Sequence, residues 1–201
     1  MDLFITPQTN ILPCDGLVNY YGPILSLKDS NDYLQSLIKE IPWKNYEKVI
    51  YDKNIVTKRS LAWYSDESLK SDYGEGQVWT KELLSLKNLV EETTQTKFNS
   101  CLLNFYHNGL EGIGWHSDEE AYPQEYSAIA SLSFGAERTF YFKHKLTERK
   151  VAIDLEHGGL LLMSHPTQHH WLHSLPKTKK INSPRINLTF RVVETSLVET
   201  S

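Results

Sequence analysis

The chain has 201 residues, with 21 Lys and Arg against 25 Asp and Glu and a net charge of -4 at pH 7. Hydrophobic residues make up 40 % and charged residues 23 %. That balance excludes a disordered chain and a fibrous protein, and two cysteines, Cys14 and Cys101, exclude a disulfide scaffold. Taken in chain order, Tyr33, Leu34, Leu37, Ile38 and Ile41 predict an amphipathic helix over 29–41 that stops at Pro42. From Lys48 to Gly76 short strand-like pieces alternate with polar and aromatic residues. A second helix is predicted over 80–92, with Leu83, Leu86, Leu89 and Val90 on one side and Thr80 as its N-cap.

Beyond residue 100 the texture turns to strands, predicted over 101–106, 126–134, 138–144, 151–155, 159–163 and 185–193. Six short strands without long helices between them indicate an antiparallel sandwich or jelly roll. The last is the clearest. Ile186, Leu188, Phe190 and Val192 alternate with Arg185, Asn187, Thr189 and Arg191, so one face is wholly apolar and the other carries two cations. The segment over 101–106 repeats the device, with Asn104 and Tyr106 on one face. Polar side chains lining the inside of a jelly roll call for a polar ligand.

Chemistry concentrates in GIGWHSDEE. His116 and Asp118 are two apart, so on extended backbone both point the same way, about 6–7 Å apart, a span that one metal ion bridges. His165, His169, His170 and His173 all offer a third ligand. Two imidazoles and one carboxylate suit a non-haem Fe(II) oxygenase, and equally a catalytic zinc. The arginines favour the oxygenase: Arg185 and Arg191 face the same way on one strand, and a dicarboxylate cosubstrate such as 2-oxoglutarate needs planar cationic forks.

Five ordered motifs carry a resemblance to a known family: N-F-Y (104–106), H-S-D (116–118), SLSFGAERTFYFKH, HPTQHHWLHSLP and P-R-I-N-L-T-F-R (184–191). Together they resemble the AlkB family of Fe(II)/2-oxoglutarate dioxygenases, most of all its DNA-dealkylating branch, over roughly residues 10–193. The resemblance implies an α+β, mainly β fold in a single domain over 1–201. N-terminal helices and a nucleotide-recognition lid would occupy about 10–100, and a double-stranded β-helix (jelly roll) 101–193.

The resemblance also implies roles. His116, Asp118 and His173 would be the iron ligands, the last because it precedes Ser-Leu-Pro. Arg185 and Tyr106 would hold the distal carboxylate of 2-oxoglutarate, Arg191 and Asn104 would sit near its C1 end, and Asn187 would line the pocket. 2-Oxoglutarate and O₂ would be consumed at a bound Fe(II), with ascorbate as reductant in vitro. An N-methyl group on 1-methyladenine or 3-methylcytosine would be hydroxylated and lost as formaldehyde. A base inside a duplex must be flipped to reach such a site. Tyr73 would stack on it against the His116 ring, Glu120 would approach its exocyclic amine, Arg59 would touch the nucleic-acid backbone and Tyr51 would act as an intercalating wedge. Asp52 beside Tyr51 departs from the family pattern and weakens the case for duplex DNA.

Basic stretches at Lys143, Lys145, Arg149 and Lys150 and at Lys177, Lys179 and Lys180 are candidate phosphate contacts. The expected partner is DNA with N-methylated bases, single- or double-stranded, or RNA. No run approaches the roughly 20 apolar residues of a membrane-spanning helix, and the N-terminus lacks the basic-then-apolar pattern of a secretory leader. The expectation is an intracellular monomer, cytoplasmic or nuclear, without a membrane partner. The same iron chemistry on RNA or on a protein side chain, and a non-catalytic jelly-roll binding module, are the competing readings. The tail over 194–201 is short and polar.

Overall fold

The computed structural model describes residues 9–50, 53–66, 69–71, 74–118 and 128–193. The N-terminal half contains β1 (Leu17–Pro23), α1 (Leu27–Glu40), β2 (Lys44–Ile50), β3 (Lys53–Ser65), β4 (Lys70–Ser71), β5 (Gly74–Glu75) and α2 (Lys81–Thr94). The second half contains β6 (Ser100–Tyr106), β7 (Ile113–His116), β8 (Ile129–Gly135), β9 (Arg138–His144), β10 (Lys150–Leu155), β11 (Gly159–Ser164), α3 (Thr167–His170), β12 (Trp171–Leu175) and β13 (Arg185–Arg191).

Both predicted helices form. α1 starts ahead of its apolar spacing because Ser26 supplies the cap, its Oγ accepting a hydrogen bond from Asp29 N at 3.1 Å. It stops where Ile41 turns extended before Pro42. α2 follows Thr80, whose Oγ1 accepts from Leu83 N at 3.2 Å, and closes at Gln95 in the left-handed conformation.

Seven strands form one sheet in the order β1-β11-β8-β13-β6-β3-β2, and four form a second in the order β10-β9-β12-β7. The pairings in both are antiparallel. This is the mainly β jelly roll that the strand spacing indicates. The sequence pattern predicts six strands after residue 100, and the structure adds β7 and β12 to them. In the N-terminal half the strand-like pieces before Gly76 include one continuous strand, β3, of 13 residues.

Alternation along β13 decides which side of the large sheet does what. Ile186, Leu188 and Phe190 join Ala62, Leu103, Leu132 and Leu162 beneath Leu37 of α1 and Leu83, Leu86 and Val90 of α2. On the opposite face Val18, Tyr20, Ile129, Leu161 and Met163 meet Phe142, Ile153, Leu155 and Trp171 of the smaller sheet. Every residue from Arg185 to Arg191 is buried, including the four polar ones. The polar face of β13 therefore lines an interior space.

Burial of each large apolar side chain contributes about 1.5–3 kcal/mol. Phe190 is fully buried, with ring centroids 6.2 Å from Phe98 and 6.5 Å from Trp79. Phe190→Ala is expected to lower the unfolding free energy by about 3–5 kcal/mol, read as a shifted urea midpoint at unchanged slope.

Candidate metal centre and its cavity

β7 and β12 pair so that His116 stands directly opposite His173. Directly opposed residues in an antiparallel pair share a face. Their rings lie 4.2 Å apart between centroids, crossed at 64°. Asp118 follows just beyond the end of β7, its N–H donating to Gln168 Oε1 at 3.0 Å. Its Oδ1 is 4.0 Å from His116 Nε2 and its Oδ2 is 3.7 Å from His173 Nε2. One donor atom from each of the three falls within 4.8 Å of the others. That separation is close to what a single ion with bonds of about 2.0–2.2 Å spans.

The protonation of these groups fits a metal. His116 Nδ1 donates to Gly114 O at 2.9 Å, which leaves the lone pair on Nε2, facing Asp118. Burial pushes His173 down to about 3, so its imidazole is neutral near pH 7 despite Asp118 beside it. Phe140 and Phe142 wall that ring, at 5.4 and 6.4 Å. Burial opposes the charge on Asp118, yet Arg191, His173 and His116 outweigh it and hold its pKa below the ordinary value. Two imidazoles and one ionised carboxylate thus converge, a donor set suited to a divalent transition metal with positions left open.

A second trio, Cys14, Asp15 and His144, also brings its donor atoms within 4.8 Å. Its tautomer argues against a metal. His144 Nδ1 accepts from Leu146 N and Thr147 N, both at 3.2 Å, so Nε2 carries the proton that it shares with Asp15 Oδ2 at 3.2 Å. No lone pair of that imidazole is left for an ion.

His116, Asp118 and His173 open into a cavity of about 110 Å³ whose far wall is the polar face of β13. Arg185 lies opposite Tyr106 in register, its Cζ 5.6 Å from the centre of that ring. Its Nη2 donates to Ser133 Oγ at 2.9 Å and to Asn187 Oδ1 at 2.8 Å, while its Nε is buried and makes no hydrogen bond among the described residues. Asn187 Oδ1 also accepts from Ser131 Oγ at 2.9 Å, and Asn187 Nδ2 donates to Thr189 Oγ1 at 2.9 Å. Burial pushes Arg185 down to about 10, partly offset by Tyr106, so it stays a cation near neutrality. A buried guanidinium with an unengaged Nε beside a cavity suits a carboxylate.

The structure thus brings Asn104, Tyr106, His116, Asp118, His173, Arg185, Asn187 and Arg191 around one cavity. Arg59 lines the same cavity and donates from Nε to Asn104 Oδ1 at 3.0 Å. Tyr51, Tyr73 and Glu120 lie outside the described residues. Of the basic stretches, Lys143 pairs with Glu148 at 3.1 Å and lies, with Lys150, over the half-exposed Trp115 ring, while Lys177, Lys179 and Lys180 are exposed. The motifs imply no role for four polar residues that line or support the cavity: Ser131, Ser133, Gln168 and Thr189. A signal existed for three of them. Ser131 and Ser133 are two apart in an apolar strand, and Thr189 shares the alternation of Arg185 and Asn187. Nothing local marks Gln168, which acts from α3, just before β12.

The profile of the 2OG-Fe(II) oxygenase superfamily matches residues 17–191. The chain is 37 % identical over 187 residues to mouse (Mus musculus) alpha-ketoglutarate-dependent dioxygenase alkB homolog 3, covering 86 % of this chain and 65 % of that one. It therefore spans just under two thirds of that relative's length. It is 34 % identical over 202 residues to human (Homo sapiens) DNA oxidative demethylase ALKBH2, covering 93 % of this chain and 77 % of the relative. A solved structure of OsALKBH1 shares the fold with a TM-score of 0.66 at 16 % identity, over 87 % of this chain and 97 % of that one. The match runs through every strand that lines the cavity, and the donor set suits the iron and 2-oxoglutarate of the family: the chain belongs to the 2OG-Fe(II) oxygenase superfamily, among the AlkB homologues.

Proposed function

We propose that this protein is an oxidative demethylase of N-methylated nucleobases in DNA, with 1-methyladenine and 3-methylcytosine as lesions. The observation that carries the reading is the convergence of His116, Asp118 and His173 on a cavity whose opposite wall holds Arg185 with an unengaged, buried Nε. The relative named a DNA oxidative demethylase, at 34 % identity, supports DNA as the substrate. His116, Asp118 and His173 would hold the iron. With 2-oxoglutarate and O₂ bound, the iron would supply the oxidising chemistry: the cosubstrate would lose CO₂ and take up one oxygen atom to become succinate, and the other oxygen atom would enter a C–H bond of the N-methyl group.

The chain's own residues do the rest. Arg185, steadied by Ser133 and Asn187, receives the distal carboxylate, and Tyr106 packs under its guanidinium. Arg191 and Asn104 take the C1 end, with Arg191 also holding Asp118 ionised. Phe140, Ile113, Leu175 and Met163 keep the cavity walls apolar and limit water. The hydroxymethylated base then collapses: its C–N bond breaks, formaldehyde leaves and the hydroxyl proton is released. Tyr73 and Glu120 would contact the flipped base, and Tyr51 would serve as the wedge. These three roles rest on the sequence resemblance.

In this reading residues 1–201 act as one domain, with 101–193 as the catalytic core. Cys14 and Cys101 are both free thiols, which suits a reducing, intracellular setting. No helix among the described residues is long and apolar enough to cross a membrane.

The test is formaldehyde release from a 3-methylcytosine oligonucleotide, single- and double-stranded, with Fe(II), 2-oxoglutarate, ascorbate and O₂. Release that needs every component is the expected result. Absence of release from either strand form, with 2-oxoglutarate binding intact, would move the substrate to RNA or to a protein side chain.

A further inference from the structure

Arg59 enters the cavity from β3, the strand that leads into the segment over 66–77, and is the one arginine or lysine lining it from outside β13 among the described residues. Its neighbour Leu61 stands opposite Asn104, which in turn stands opposite Asn187 on β13. These side chains therefore share one face of the large sheet. Arg59 Nε donates to Asn104 Oδ1 at 3.0 Å. A guanidinium has five donors and no acceptor, so it selects the oxygen of the amide and turns the nitrogen away. Asn104 is itself buried, at 7 % exposure, and its Nδ2 makes no hydrogen bond among the described residues. The amide thus presents a donor to the cavity because Arg59 occupies its acceptor.

We infer that Arg59 is a positioning residue for the cosubstrate: it locks the Asn104 amide with Nδ2 toward the carboxylate that the cavity receives. This rests on the reading of the cavity as a 2-oxoglutarate site. Without Arg59 the Asn104 side chain can turn through half a revolution. It would then offer a carbonyl oxygen to a carboxylate, and an attraction becomes a repulsion. Arg59 acts through Asn104, so its effect vanishes when Asn104 is gone. A phosphate contact, the role the sequence reading gives Arg59, has no such dependence.

The experiment is calorimetric titration of 2-oxoglutarate into the protein loaded with Mn(II), for wild type, Arg59→Ala, Arg59→Lys, Asn104→Ala and the Arg59→Ala/Asn104→Ala double variant. Arg59→Ala is expected to weaken 2-oxoglutarate binding about tenfold. In the Asn104→Ala background the same change is expected to cost less than about twofold, the non-additivity of one shared contact. Arg59→Lys keeps a donor-only side chain and is expected to recover part of the loss. Additive effects in the double variant would overturn the inference, since Arg59 would then act by charge alone. Unchanged 2-oxoglutarate affinity in Arg59→Ala, with weaker binding of an unmethylated single-stranded oligonucleotide, would overturn it in favour of a nucleic-acid contact. Thermal melting of each variant checks folding, and a variant that does not fold is replaced in the cycle by Arg59→Gln. Failure of the wild type to bind 2-oxoglutarate would instead refute the cavity reading. Binding without formaldehyde release would refute only the nucleobase substrate.

Discussion

Asp118→Ala is expected to abolish metal binding and turnover together. The carboxylate is the single anion of the donor set, and its two oxygens face His116 and His173 separately, at 4.0 and 3.7 Å. Without it two imidazoles remain with no anion in the donor set, beside the buried Arg191, whose positive charge disfavours a divalent cation. Loss of a residue that only supports a metal ligand typically costs 10–100-fold in affinity. Removal of the anionic ligand itself is expected to exceed roughly a hundredfold. Titration of Mn(II) followed by calorimetry reads this without turnover. Wild-type Mn(II) affinity in Asp118→Ala would remove the trio from the functional site. Asp118→Asn separates charge from shape: it keeps the volume and the N–H bond to Gln168 and is expected to lose most of the affinity as well.

Arg185→Ala is expected to raise the apparent KM for 2-oxoglutarate by about 10–100-fold, with a smaller effect on kcat at saturating cosubstrate. The side chain is 2 % exposed and already spends Nη2 on Ser133 and Asn187, so what it withholds from the protein is its Nε and its charge. Removal leaves Asn187 Oδ1 with Ser131 and the more distant Ser133, and leaves the distal carboxylate facing an uncharged wall. Arg185→Lys restores charge without the planar fork and is expected to recover affinity only in part. Steady-state kinetics with varied 2-oxoglutarate decide it. A wild-type KM in Arg185→Ala would mean that the carboxylate is held elsewhere in the cavity.

The residues that carry long regular periods were legible in the sequence. Leu37 and Ile41, and Leu83, Leu86 and Val90, declare their helices by spacing, and Thr80 declares its cap. β13 declares both faces at once, and the polar one proves to be the cavity wall. β7 and β12 escaped for a physical reason. They are 4 and 5 residues long, and each spends an inward position on a histidine rather than an aliphatic side chain. The strands that hold a metal are therefore the ones whose apolar alternation is broken. His116 and Asp118 were still found, since an extended segment fixes their relation locally. The choice of His173 among four nearby histidines needed the family resemblance, because register between distant strands is not written in local spacing. The sequence offers Arg59 only as a candidate nucleic-acid contact. Its contact with Asn104, 45 positions away, could be read only from the pairing of β3 with β6.

The placement of β7 at the end of the smaller sheet has a consequence for protein quality control. Among the described residues β12 is its one strand partner, and none of their strands pairs with its other edge. β13, by contrast, is zipped on both sides, to β6 and to β8. Local opening is cheapest at an edge, so the metal-bearing margin frays long before the arginine wall does. An ion shared by His116 and His173 acts as a rivet across that margin. Demetallation then does more than silence the site: it frees a sticky strand edge, the kind of template on which chains add to one another and aggregate.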